Sequence, residues 1–157
     1  MAQKVQVLDI GSYSAKSVVA KVPFVGVQVT SAKAEKYQSA LEPKTRRSEQ
    51  TRAARDMLPG KRLTGDAVTV VMQADRIMNR TVELPFTDRG KIDQVLGFEL
   101  ENHVPYTADE IVYDYVVREK SKEGAKLFVS VAPRKDIEEY AELFGGANID
   151  PRVMGHQ

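Results

Sequence analysis

The chain opens with three short β-type runs within its first 30 residues, joined by connections too short to hold a helix. Val5, Val7 and Leu8 lead into Asp9-Ile10-Gly11-Ser12-Tyr13-Ser14, a cluster of turn-forming residues, and Ser17-Val18-Val19-Ala20 resumes a β-branched pattern. After Pro23, Val25, Val27 and Val29 alternate with Gly26, Gln28 and Thr30, the period of two expected of a half-buried strand. A parallel return needs a crossover of about a dozen residues or more, so strands this close together must run antiparallel. The chain therefore begins as a meander.

Residues 38–47 are polar and include Pro43, which predicts a loop. Ser48 is a suitable N-cap for a helix running to about Leu58, where Pro59-Gly60 stops it. Residues 68–72 and 77–84 are apolar enough for two strands. Ile92, Val95, Leu96 and Leu100 fall at helical spacing and predict a helix over 87–103, closed by Val104-Pro105. Residues 111–117 and 127–132 read as strands joined by a turn at Glu123-Gly124. A helix follows over 134–144, with Ile137, Tyr140, Ala141 and Phe144 on one face and Gly145-Gly146 at its end. Residues 149–154 complete the pattern as a last strand. The order βββ-α-ββ-α-ββ-α-β is α/β or α+β in class and too strand-rich for a bundle.

Composition narrows the function. With 23 basic and 22 acidic residues the net charge is +1, which excludes a nucleic-acid domain driven by overall charge and an acidic tail protein. There is no cysteine, hence no disulfide framework, thiolate nucleophile or cysteine-bound zinc, and a reducing cytosol is compatible. The longest uncharged stretch, residues 22–32, has 11 residues against the roughly 20 that span a bilayer. His103 and His156 are the only histidines and lie far apart, so neither a histidine metal site nor a triad is expected. Glu99 and Glu101, two apart on a helix, do not share a face and read as a solvated side chain and a helix-end partner. Tyr106, Tyr113, Tyr115 and Tyr140 are expected in the core, with groove lining as the alternative. Charge is blocked along the chain: seven basic residues lie between Leu41 and Arg62, and six acidic ones with no Lys or Arg between Asp93 and Asp114. Such blocks steer partners or pair in self-assembly, or are simply two solvated faces.

One segment has the makings of a ligand site. In Asp9-Ile-Gly-Ser-Tyr-Ser-Ala-Lys16, Gly11 permits close approach to the backbone, Ser12 and Ser14 offer hydroxyls, Lys16 a positive charge and Asp9 a carboxylate for the water shell of Mg²⁺. It is not a Walker A loop: Ala15 stands where that motif needs Gly, and a strand follows where it needs a helix. Spacing alone leaves two readings open, a phosphate-cradling turn and a plain β-hairpin with a surface lysine.

A first strand, Asp-x-Gly-Ser, a second strand and a lysine seven positions after the Asp resemble the first phosphate motif of the actin-like ATPase superfamily. Leu84-Pro85-Phe86, then Phe98-Glu99-Leu100-Glu101-Asn102-His103-Val104-Pro105-Tyr106, resemble signature segments of the PilM/GspL family. Tyr113-Asp114-Tyr115 and Val131-Ala132-Pro133-Arg134, with Gly146 and Pro151, continue the match in order along nearly the whole chain. The resemblance implies an actin-like (ribonuclease H-like) subdomain over 1–84, an inserted PilM/FtsA-type subdomain over 85–148, and a strand over 149–157 leading to a second half. It implies a non-enzymatic cytoplasmic scaffold at the bacterial inner membrane that docks a GspE-like secretion ATPase and links it to PilN- or GspM-like membrane components. Two alternatives accompany it: a pilus PilM gripping the PilN N-terminus, and an FtsA-like ATPase that hydrolyses nucleotide and forms filaments. Asp9, Gly11, Ser12, Ser14 and Lys16 are then the phosphate loop, with Asp9 touching a metal only through water. ATP and Mg²⁺ are expected of the intact protein, while these residues alone hold no cofactor, since half a cleft does not bury a nucleotide. Contact with a membrane is expected only through a segment outside this chain. Nucleic acid is not expected, because no aromatic residue is interleaved with the basic block.

Overall fold

The computed structural model describes residues 3–37, 42–57, 67–151 and 153–156. They form two compact units, one of residues 1–73 and 139–157, the other of residues 74–138.

The first unit is a five-stranded mixed sheet. Strands β1 (Gln3–Ile10), β2 (Ser14–Val22) and β3 (Gln28–Lys36) form the expected antiparallel meander, with Asp9 opposite Lys16 and Lys21 opposite Gln28. Helix α1 (Pro43–Asp56) supplies the crossover to β4 (Ala67–Met72), which pairs parallel to β1, and β8 (Val153–His156) adds in parallel to β4. The strand order is β3-β2-β1-β4-β8. Leu8, Ile10, Ala15, Val19, Val70 and Met72 of the sheet are buried, as are Ala53, Ala54 and Met57 at the end of α1. Two polar side chains are buried among them, Gln6 and Ser17: Gln6 donates through Nε2 to Ser17 Oγ at 2.9 Å and to the Met57 carbonyl at 3.0 Å.

The second unit is a three-stranded antiparallel sheet of order β5-β7-β6, built from β5 (Met78–Leu84), β6 (Ile111–Lys120) and β7 (Ala125–Pro133). Helix α2 (Arg89–Leu100) buries Ile92, Leu96 and Leu100 in one cluster with Val82, Leu84, Ile111, Leu127, Val129 and Val131. Tyr106, Tyr113 and Tyr115, half-buried, pack on the edge of that cluster, while Tyr140 of the first unit is buried. The β6–β7 turn requires its glycine. Gly124 has φ +149°, and a Cβ there would overlap the Leu84 carbonyl oxygen. The division at Leu84 drawn from sequence cuts this sheet, because β5 is hydrogen-bonded to β7 from Met78 to Leu84.

Several boundaries moved, each for a local reason. Helix α1 begins at Pro43, whose missing N–H costs nothing in a first turn, so Ser48 lies inside the helix and is not its cap. The stop at Pro59-Gly60 lies outside the described residues. Helix α2 starts later than residue 87 because Asp88 caps it, accepting from the Lys91 amide at 3.0 Å. Helix α3 (Arg134–Gly146) runs through Gly145-Gly146. It ends instead on Asn148, at φ +58°, and the Ile149 amide folds back onto the Phe144 carbonyl at 2.9 Å. That turn consumes residues 147–149, so β8 begins at Val153 and not at Ile149.

Candidate functional site

Every residue expected of the phosphate loop lies at the β1–β2 connection of the first unit. Asp9 and Lys16 face each other across the two strands, and Lys16 Nζ lies 3.0 Å from Asp9 Oδ2. The turn between them is tight: the Gly11 amide donates to the Ser14 carbonyl at 2.9 Å. A Cβ at Gly11 would stand 3.2 Å from that carbonyl oxygen, so close approach of the chain to itself accounts for the glycine. Ser14 contributes its carbonyl to this turn, and Tyr13, 84% exposed, sits at its tip.

Two side chains that the sequence pattern marks weakly or not at all hold the turn. Gln50 Nε2, on α1, donates to the Gly11 carbonyl at 2.9 Å. Gln73, immediately after β4, meets Ser12 with its side-chain amide: Nε2 donates to Ser12 Oγ at 3.0 Å, and that hydroxyl lies 3.3 Å from Oε1. The Gln73 backbone amide in turn donates to Tyr140 Oη at 3.2 Å. A glutamine following a buried strand run is the one sequence signal that marked Gln73, and it is a weak one. Tyr37 completes the surroundings by donating its backbone amide to the Tyr13 carbonyl at 3.0 Å. Its phenol, which has no hydrogen-bond partner among the described residues, is pushed far above its ordinary pKa by burial and by the nearby carboxylates Asp9, Glu35 and Glu49.

The basic block beside this site is largely engaged within the unit. Arg52 binds Glu35 at 2.7 Å and Asp56 at 2.9 Å, and its guanidinium is held charged by the Glu35 hydrogen bond. Arg47 reaches Glu142 at 3.1 Å and the Glu139 carbonyl at 2.8 Å, while Arg55 donates to the Gly146 carbonyl at 2.7 Å. Lys61 and Arg62 lie outside the described residues. Elsewhere, Glu99 lies 3.5 Å from His103, and Glu101 accepts from the Ala108 amide at 2.8 Å, so the two carboxylates turn to different neighbours, as residues two apart on a helix do. Among the described residues no three His, Asp or Glu side chains are grouped to hold a metal ion, and no helix is long and apolar enough to cross a membrane.

Chemically, the turn offers a small, pinned backbone loop flanked by one carboxylate and one ammonium group.

No family model and no curated protein matches the sequence. Solved structures do. A chain of the PilM–PilN type IV pilus biogenesis complex matches 97% of this chain with a TM-score of 0.75 at 17% identity. The cytoplasmic domain of EpsL, an inner-membrane component of the type II secretion system of Vibrio cholerae, matches 98% of it with a TM-score of 0.63 at 13% identity. The fold is the actin-like one of PilM and EpsL. That agrees with the α+β, actin-like class expected from the sequence. The chain spans about half the length of these two matches, 47% and 57% respectively.

Proposed function

We propose that this chain is a member of the PilM/GspL family and a non-enzymatic scaffold in the inner-membrane platform of a type II secretion or type IV pilus machine. One observation carries the reading: fold and motif coincide. The shared architecture runs over 97% of the chain, and the family-like segments are its structural joints. Leu84-Pro85-Phe86 leads from β5 to the Asp88 cap, Leu100 and Val104 close the end of α2 in the core, and Val131 to Arg134 passes from β7 into α3.

In the secretion reading the scaffold docks a GspE-like ATPase and links it to GspM- or PilN-like membrane components. The higher TM-score with the PilM–PilN chain, 0.75 against 0.63, favours the second reading, a pilus PilM that grips the PilN N-terminus. Fluorescence anisotropy on the full-length protein separates them. Binding of the ATPase's N-terminal domain supports the first, binding of a cytoplasmic PilN-type peptide supports the second, and binding of neither overturns both.

ATP with Mg²⁺ fits the turn of the intact protein, with Gly11, Ser12 and Ser14 around the phosphates, Lys16 neutralising them and Asp9 holding the metal's water. For that the Asp9–Lys16 pair must open. The turn by itself holds ATP weakly or not at all, because it is a surface hairpin with Tyr13 84% exposed at its tip, and small-ligand sites normally bury about 70–90% of their ligand. Micromolar affinity by calorimetry would overturn this. Nucleotide in the whole protein biases partner contacts without turnover, and phosphate release well above background would favour the FtsA-like reading instead.

A further inference from the structure

The other end of β2 is built in the opposite way. Residues 21–30 are all exposed, and the run contains Val22 at 37%, Phe24 at 102%, Val25 at 90%, Val27 at 68% and Val29 at 60%. Single exposed apolar side chains need no explanation, but a contiguous set at one hairpin tip does. Gly26, at φ +80°, makes the turn between the strands.

The hairpin is also two-faced. Ala20 is opposite Val29 while Lys21 is opposite both Gln28 and Lys4, so alternation puts Val22 and Val29 on one face and the two lysines on the other. Between Asp9 and Glu35 the sequence holds Lys16, Lys21 and Lys33 and no acidic residue. An apolar tip thus stands above a lysine-bearing face, with Lys21 at its base and Lys33, opposite Ser17, farther along the same hairpin.

We propose that the 21–30 hairpin contacts an anionic lipid bilayer, with Phe24, Val25 and Val27 entering the headgroup–acyl boundary and Lys21 and Lys33 facing the lipid phosphates. A convex tip suits this occupant better than a folded protein. A protein interface of ordinary size buries about 800 Å² on each side, which a five-residue knob does not offer. A bilayer accepts a knob of any shape, and its anionic surface draws lysines to it. This contact lies within the chain itself, in addition to any membrane link made elsewhere, and it stands independently of the scaffold reading.

The sequence has no tryptophan, so Phe24→Trp creates a single reporter. With vesicles of phosphatidylglycerol and phosphatidylethanolamine its emission shifts to the blue and brominated acyl chains quench it; with phosphatidylcholine vesicles neither occurs. Phe98→Trp, at an exposed position of the other unit, stays unshifted. Replacing Phe24 and Val25 by Ser lowers partitioning to anionic vesicles by about tenfold or more, and Lys21→Gln with Lys33→Gln lowers it several-fold and flattens its salt dependence. Circular dichroism and melting of these variants match the native chain, because their side chains are exposed. An unmoved Phe24→Trp spectrum overturns the proposal, as does an equal shift of Phe98→Trp. So does self-association abolished by Phe24→Ser without lipid binding, which assigns the tip to a second copy.

Discussion

The two units use their residues differently. In the 74–138 unit β7 and α2 close on each other with Leu96, Leu100, Leu127, Val129 and Val131 all inaccessible to solvent. Stability there is a matter of aliphatic packing. The other unit buries small side chains such as Ala15, Ala53 and Ala54, rivets a glutamine into its core, and places at the two ends of β2 a polar, pinned turn and a bare apolar tip. A packed unit tolerates little variation of its interior, whereas the mixed sheet leaves its loops free to specialise.

Leu96→Ala tests that contrast most severely. Leu96 is fully buried in the middle of α2, so truncation removes its transfer energy and leaves a cavity, at a cost of about 2–5 kcal/mol by urea unfolding. At the turn of the other unit, Gln73→Ala removes the side-chain amide that meets Ser12 Oγ and leaves the Gln73 backbone bond to Tyr140 in place. The expected cost is about 1 kcal/mol, that of one partly buried hydrogen bond. Equal losses for the two variants would mean that the pinned turn is part of its unit's core, and the contrast would fail.

Among the described residues, the order of the eleven strands and α-helices was legible in the sequence, because strands of period two and helices with apolar faces leave clear traces. What escaped was chemistry that periodicity does not encode. Asn148 ends α3 although two glycines stand nearer, since a left-handed cap depends on where the helix stops packing and not only on which residue is most permissive. Asp9 and Lys16 flank one short turn and so meet across it, but Gln50 and Gln73 lie 39 and 61 residues away from the atoms they bind. No local pattern marks such partners. Val25, Val27 and Val29, expected on the buried face of a strand, are all exposed instead: β3 begins only at Gln28, and none of its residues is buried.

The smallest effect concerns the rim of the packed unit. Thr107 Oγ1 donates toward Asp109 Oδ1 at 2.7 Å and Glu110 Oε2 at 2.9 Å, and the Thr107 amide donates to Glu110 at 3.0 Å. The Asp109 carboxyl is lowered below its ordinary pKa first by the Thr107 hydroxyl, and Glu110 first by the Thr107 amide and then by that hydroxyl. A carboxylate depressed in the folded state stabilises at pH values above its unfolded pKa of about 4, and the contribution is lost as pH falls through the folded value. Thr107→Val deletes the hydroxyl and keeps the amide, so Asp109 relaxes most and Glu110 in part. The variant is therefore less stable than the native chain at neutral pH, and urea midpoints of the two converge as the pH drops well below about 4. A gap that stays constant into strong acid would mean that Thr107 acts through packing alone, and that the rim of this unit, like its interior, owes nothing to charge.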